Sequence, residues 1–298
     1  MGIMKKLPTV SIVIPAYNEQ DSIGKCLNSI LNQTVKPLEV IVVDNRSHDD
    51  TAKIVRAFRD EHKDAITVHL VKEFDHQGII PARDKGFVVA KGDIVGRIDA
   101  DSMLSQGWVE AVTNGFADPE VAAASGPVVY HDMPAKNVGF QADHKLRTTL
   151  DKLARTHRFL FGSNMAVRAS VWQKIRPLLC ADEEDMMHED IDIALHLHAN
   201  NYKVVYLPDM IGGMSARRLE DSPKDFYKYV MRFENTYKHH GIKSASARIP
   251  IFIYLTTYFP TKFLRFIYDG DEQKFTFDKF RDMIHRHRGD DEQDPIDV

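Results

Sequence analysis

The stretch GDIVGRIDADSML, residues 92–104, carries an apolar run from Ile94 to Ile98 directly before two acids, Asp99 and Asp101. The run has the length of a buried strand. Carboxylates one residue apart at its end offer hard oxygens that suit Mg²⁺ or Mn²⁺. A cation held there can neutralise charge building on a departing diphosphate. Asp-X-Asp is common in surface turns, so its place after a strand is what gives it weight.

On the amino-terminal side, strands alternate with helices. Val10 to Ile14 reads as a strand, followed by Ile23, Leu27, Ile30 and Leu31 at helical spacing. Val40 to Val43 leads into Ile54, Val55 and Phe58, with Asp49 or Asp50 placed to cap that helix. Thr67 to Val71 is another β-branched run, and Ile79 to Ala90 reads as a helix. The alternation calls for an α/β fold, a Rossmann-like, mostly parallel sheet with helices on both faces. In such a sheet ligands bind beyond the carboxyl ends of strands. Those ends carry Pro15, Ala16, Tyr17, Asn18 and Glu19, then Asp44, Asn45, Arg46 and Ser47, then Asp99, Ala100 and Asp101.

On the carboxyl side the pattern is less regular. Val121 to Val129 reads as a strand, Asn137 to Arg158 as a polar stretch, and Met165 to Ile175 as a helix. Glu189 to Ala199 is helical, and Lys203 to Leu207 is a strand at which the sheet ends. The expected organisation is a catalytic domain over 1–215, with its nucleotide-binding half about 8–105 and its acceptor side about 106–215. A helical C-terminal extension over 216–288 and a disordered acidic tail over 289–298 follow.

Bulk properties narrow the classes of partner. A hydrophobic content of 43% is enough for an ordinary core, and a net charge of -4 argues against a nucleic-acid partner. Cys26 and Cys180 lack the paired spacing of a zinc site or disulfide framework, which suggests a reducing, cytoplasmic setting. Met1 to Pro8 has no apolar signal core, so no export signal is read there. Residues 249–268, IPIFIYLTTYFPTKFLRFIY, are interrupted by Pro260, Lys262 and Arg265 and fall short of a spanning helix. Two readings stay open: peripheral contact with the cytoplasmic membrane face, or a pair of short helices packed on the domain or on a second subunit of a homodimer.

SIVIPAYNE, IVVDNRSHDDT, GIIPARDKG, GDIVGRIDADSML, GSNMAVR and HEDIDIALHLH, in that order, resemble the successive motifs of family-two glycosyltransferases of the GT-A fold. The resemblance spans roughly Val10 to Leu207. It implies an inverting, metal-dependent transfer from a nucleoside-diphosphate sugar, UDP-linked by preference, to a cell-surface glycan or a lipid-linked acceptor. Tyr17 would pack on the base, and Pro15, Ala16 and Asp44 would hold base and ribose, with Asn18, Glu19, Asn45 and Ala100 beside them. Arg83 would lie near the nucleotide. Asp99 would face the ribose or metal, and Asp101 would be the principal metal ligand. Gly162, Ser163 and Asn164 would border the donor sugar, with Glu189 on the acceptor side. Asp190 matches the family's general base, which removes a hydroxyl proton as the sugar carbon is attacked. The positive end of a helix dipole suits a carboxylate there.

Blander readings stand beside these. Asp190 can be a helix cap, Arg83 and Asp84 a surface ion pair, Tyr17 a packed aromatic, and His188 a structural hydrogen bonder. His285 to Arg288 reads as a solvated basic helix end. Asn45-Arg46-Ser47 departs from the Gly-Ser pair many members have after this acid, and no Gln-x-x-Arg-Trp segment of the polymerising members is present. Single-sugar transfer is therefore preferred. The alternatives are UDP- or GDP-sugar transfer to a polyprenyl phosphate, a nucleotide-binding scaffold without catalysis, and nucleotidyl transfer.

Overall fold

The computed structural model describes residues 7–153, 160–182, 184–243, 248–270 and 272–277. In chain order these form β1 (Val10–Ala16), α1 (Ile23–Leu31), β2 (Glu39–Asp44), α2 (Thr51–Glu61), β3 (Val68–Lys72), α3 (Ile79–Val89) and β4 (Ile94–Ile98). Next come β5 (Met103–Leu104), α4 (Trp108–Gly115), β6 (Val121–Ser125), β7 (Val128–Tyr130), α5 (Lys136–Leu153), β8 (Asn164–Arg168) and α6 (Ala169–Ile175). Then follow α7 (Glu189–Ala199), β9 (Lys203–Tyr206), β10 (Gly212–Met214), α8 (Pro223–His239) and α9 (Arg248–Phe266).

The main sheet has the order β3-β2-β1-β4-β8-β6-β9 and is parallel except for β8. Both faces are covered, because successive side chains of a strand point to opposite sides. Ile12 and Ile14 of β1 pack with α1, α2 and α4 through Leu27, Phe58 and Trp108. Val13, between them, faces Phe87 of α3, Trp172 of α6 and Ala194 of α7.

The approach of α3 to the sheet depends on Gly86, where a Cβ would stand 2.3 Å from Val13 Cγ1 and 3.1 Å from Val43 Cγ2. Gly86→Ala should therefore lower stability by about 1–3 kcal/mol through overpacking, outweighing the helix-propensity gain of about 1 kcal/mol. Urea unfolding checks this, and an unchanged midpoint would show that α3 can lie further from β1.

Three readings of the sequence are corrected. Met165 to Ile175 is not one helix: β8 lies antiparallel between β4 and β6, and α6 starts only at Ala169. Ala166 faces one core while Met165 and Val167 face the other. A strand buried on both faces shows no polar alternation, so periodicity does not separate it from a helix. Val121 to Val129 breaks at Gly126 and Pro127 into β6 and β7; β7 belongs to a second sheet, order β5-β10-β7. That small sheet ties the chain just past Asp101 to the chain just before Arg217.

Within residues 249–268, the stretch up to Phe266 forms the single helix α9 instead of a pair, with Pro260 inside it, and Tyr268 lies past its end. Tyr258 and Lys262, on either side of the proline, both donate to the Asp221 carbonyl at 2.6 Å, and Tyr258 stacks on Phe226 of α8. These contacts hold α9 together across the missing N–H. Among the described residues no helix is long and apolar enough to cross a membrane. The tail at 289–298 and the His285 to Arg288 run lie outside the described residues.

Candidate functional site

The ends of β1 and β2 are stapled together. Asn18 takes a left-handed conformation, φ 53°, and its Oδ1 accepts the His48 N–H at 2.8 Å, while its own N–H donates to Ser47 Oγ at 3.1 Å. The Asn45 N–H donates to the Ala16 carbonyl, next to Pro15, and Asp44, buried, accepts the Ser47 N–H at 3.0 Å. Tyr17 is 46% exposed, so it is not a packed core aromatic. Asn45 is committed elsewhere: its amide donates to the carbonyls of Glu73 and His76, and its Oδ1 accepts the Gly78 N–H. It holds the loop leading into α3 and has little left for a ligand.

At the end of β4, Ala100 is buried and the acids gather. The Arg217 guanidinium, arriving from after β10, reaches Glu19 Oε1 at 2.5 Å and Asp101 Oδ2 at 2.9 Å. Burial, reinforced by the Asp99 and Glu19 carboxylates and opposed by Arg217, pushes the Asp101 carboxyl up to about 6. Three carboxylates gather here against two guanidiniums, Arg217 at Glu19 and Asp101 and Arg97 at Asp99, which leaves one negative charge in excess. The all-oxygen donor set fits Mg²⁺ or Mn²⁺.

Asp99 also accepts from Arg97 at 2.8 Å and turns toward a second compartment. This is a cavity of about 350 Å³ between the sheet and helices α7, α8 and α9, lined in part by Arg83, Asp99, Gly162, Ser163, Glu189 and Asp190. Gly162 is there because Arg97 Nη1 would lie 2.0 Å from any Cβ. Its N–H donates to Asp190 Oδ2 at 2.7 Å, fixing the carboxylate at the start of α7 against the 160–163 turn. Asp190 is therefore not simply a cap for its helix; among the described residues its other oxygen accepts only the adjacent Ile191 N–H. Asn164 does not join the cavity: fully buried, it accepts from Trp108 Nε1 and donates to the carbonyls of Pro127 and Met210. It braces β8 against both sheets.

Arg83 and Asp84 do not pair with each other. Arg83 is 2% exposed and pairs with Glu189, whereas Asp84 meets Arg176 at 2.5 and 2.7 Å. Burial and the nearby Arg97 pull the Arg83 pKa well below that of a free arginine, against Asp190 and Asp99. Among the described residues the Nε atoms of both Arg83 and Arg97 lack a hydrogen-bond partner. Buried orphan donors of this kind call for a partner that the protein itself does not supply. His188 is similar: among the described residues its Nε2 has no partner, Tyr229 and Phe233 meet its ring edge-on, and burial pushes its pKa down to about 4. It stays neutral near pH 7.

The sequence reading passed over Arg97, Arg217 and Glu73. Arg97 had a signal, a lone charge within the apolar run of β4. Glu73, buried at the end of β3, accepts the Asp75 and His76 N–H groups and shapes the loop that Asn45 holds. Arg217 had no signal, since its partner Glu19 is 198 residues away.

Comparison with known proteins gives the family and the fold. The family described as Glycosyl transferase family 2 matches residues 11–176, more than half of the chain. Glycosyltransferase AglE of Haloferax volcanii is 35% identical over 126 residues, 42% of this chain and 40% of that protein. The chain thus matches less than half the length of this relative. Among solved structures, mannosyltransferase PcManGT from Pyrobaculum calidifontis, in complex with GDP-Man and Mn²⁺, aligns with a TM-score of 0.58 at 22% identity, covering 88% of this chain and 74% of that one. S. aureus TarS 1-349 in complex with UDP-GlcNAc aligns with a TM-score of 0.51 at 17% identity, covering 86% of this chain and 72% of that one. These two likenesses establish the GT-A fold.

Proposed function

Because the chain belongs to glycosyl transferase family 2, we propose that it transfers a single sugar, with inversion, from a nucleoside-diphosphate sugar to a hydroxyl of a glycan or lipid-linked acceptor. A UDP-sugar is the favoured donor. The observation that carries this reading is that Asp99, at a strand end, and Asp190, at a helix start, line one cavity.

Tyr17 is the exposed ring for the base, with Asp44 at the ribose. Asp99 and Asp101 would hold Mn²⁺ or Mg²⁺, which when bound would neutralise the leaving diphosphate. Gly162 and Ser163 border the sugar, and Glu189 keeps Arg83 in place beside it. Asp190, anchored by the Gly162 N–H, removes the acceptor proton on the face opposite the leaving group. Neutral His188 offers an acceptor hydroxyl a hydrogen-bond partner without adding charge.

A second reading, transfer to a polyprenyl phosphate, is supported by Arg147, Arg218 and Arg232, which line the same cavity as Arg83 and Arg97. It also draws on the exposed Phe252, Phe259 and Phe263 of α9, which suit a membrane surface. The GDP-Man in one structural neighbour keeps a GDP-sugar in view as donor for this reading.

Calorimetric titration with UDP and GDP, each with and without Mn²⁺, tests the proposal. One nucleotide should bind at least tenfold more tightly with the metal. Failure of both to bind a folded sample would sink the donor assignment.

A further inference from the structure

Away from the strand ends, Cys180, Asp192, His196 and His240 bring one ligand atom each to within 4.8 Å of one another. Asp192 and His196 are four residues apart on α7 and so share a face of the helix. Cys180 follows α6, and His240 closes α8. The Cys180 Sγ lies 3.6 Å from His240 Nε2 and 3.9 Å from His196 Nε2, and His196 Nε2 lies 3.4 Å from Asp192 Oδ1. With Zn–S of about 2.3 Å and Zn–N or Zn–O of about 2.0–2.1 Å, tetrahedral angles put such atoms about 3.3–3.5 Å apart. These three separations, 3.4–3.9 Å, are close to those edges. The 2.6 Å contact of His240 Nε2 with Asp192 Oδ1 is shorter, as a hydrogen bond should be.

The arrangement does not fit a nucleophilic triad. There the base uses one ring nitrogen for the nucleophile and the other for the orienting acid. Here the same nitrogen, His240 Nε2, approaches both Cys180 and Asp192. Convergence of four donors through the same atoms is what a metal requires. One sulfur, two imidazoles and one carboxylate are a donor set suited to zinc and poorly matched to the all-oxygen preference of Mg²⁺.

We propose that Cys180, Asp192, His196 and His240 form a structural zinc site, separate from the acids at the end of β4. Binding releases the thiol proton of Cys180 to solvent, and the Nε2 proton of neutral His240 transfers through solvent to Nδ1, so that Nε2 can ligate. The Nε2–H···Oδ1 hydrogen bond is replaced by two bonds to the metal. Asp192 is already oriented, since its Oδ2 accepts the Cys180 N–H at 3.0 Å. The four ligands come from the segment after α6, from α7 and from the end of α8, so zinc ties together the elements that frame Asp190, two residues before Asp192. Paired Cys spacing, the usual sequence signal, is absent because the ligands come from three separate elements.

The test is metal analysis of the full chain after chelation and reloading with Zn²⁺, together with Co²⁺ substitution. One equivalent of zinc should survive dialysis, and Co²⁺ should give tetrahedral visible bands with a thiolate charge-transfer band. Cys180→Ser and His240→Ala should lower zinc affinity at least tenfold, and Cys180→Ser should abolish the charge-transfer band, in samples shown to be folded by circular dichroism. Asp101→Ala should keep its zinc. The proposal is overturned if wild type holds no more zinc than Cys180→Ser, if Asp101→Ala loses the zinc, or if Co²⁺ reports six-coordination. None of these outcomes depends on which sugar is transferred.

Discussion

Asp190→Asn should reduce turnover onto a hydroxyl acceptor by about 10²–10⁴-fold, the range general-base catalysis supplies, while nucleotide affinity changes less than about twofold. The substitution keeps the shape of the side chain, and the amide oxygen can still accept the Gly162 N–H that now meets Oδ2 at 2.7 Å. It removes the capacity to take a proton, together with the hydrogen bond that Oδ1 accepts from the Ile191 N–H. Steady-state kcat beside a calorimetric Kd for the nucleotide separates the two effects. A kcat within a few-fold of wild type would contradict the hydroxyl-acceptor mechanism and favour the phosphate acceptor, whose oxygen is already ionised and needs no base. The arginines lining the cavity would then serve the acceptor's charge.

Where local pattern decides structure, the sequence was readable. β1, β2 and β4 each carry a β-branched or aliphatic run followed at once by polar residues, so both the strand and its polar end could be located. β8 was misread because burial on both faces erases the alternation that marks a strand, and because Ala169 to Ile175 continues the run as a true helix. Among the site residues, exposure separates Tyr17, left available, from Asn45 and Asn164, whose amides are consumed by backbone groups. Residue type alone does not make that distinction, since an amide beside a ligand and an amide bracing a loop look alike in sequence. Arg217 and the four residues around Cys180 escaped for a topological reason: their partners meet only after the chain has crossed the sheet.

The acids at the end of β4 set function against stability. Burial beside Asp99 and Glu19 raises the Asp101 carboxyl to about 6, above its unfolded value of 3.8. The folded state therefore holds the extra proton between those values. Its stability is penalised progressively as pH rises through that window, by ~3 kcal/mol at most once the group is ionised at pH 7. Asp101→Asn removes that charge, so its unfolding temperature at pH 8 should equal or exceed that of wild type even though Arg217 loses a partner. Metal-dependent nucleotide binding should be lost in the same variant, with turnover down by about 10²–10⁴-fold, as expected when several kcal/mol of leaving-group stabilisation disappear. With Asp101 as the proposed metal ligand, the proton and the cation compete for one carboxylate in wild type, so apparent Mn²⁺ affinity should fall by up to tenfold per unit below about pH 6 and level off above pH 7. Calorimetry across pH 5–8, with thermal unfolding of both proteins, checks each part. A variant that keeps Mn²⁺-dependent binding would move the metal off Asp101, and one that unfolds at a much lower temperature would mean that the Arg217 pair, not the burial penalty, dominates there.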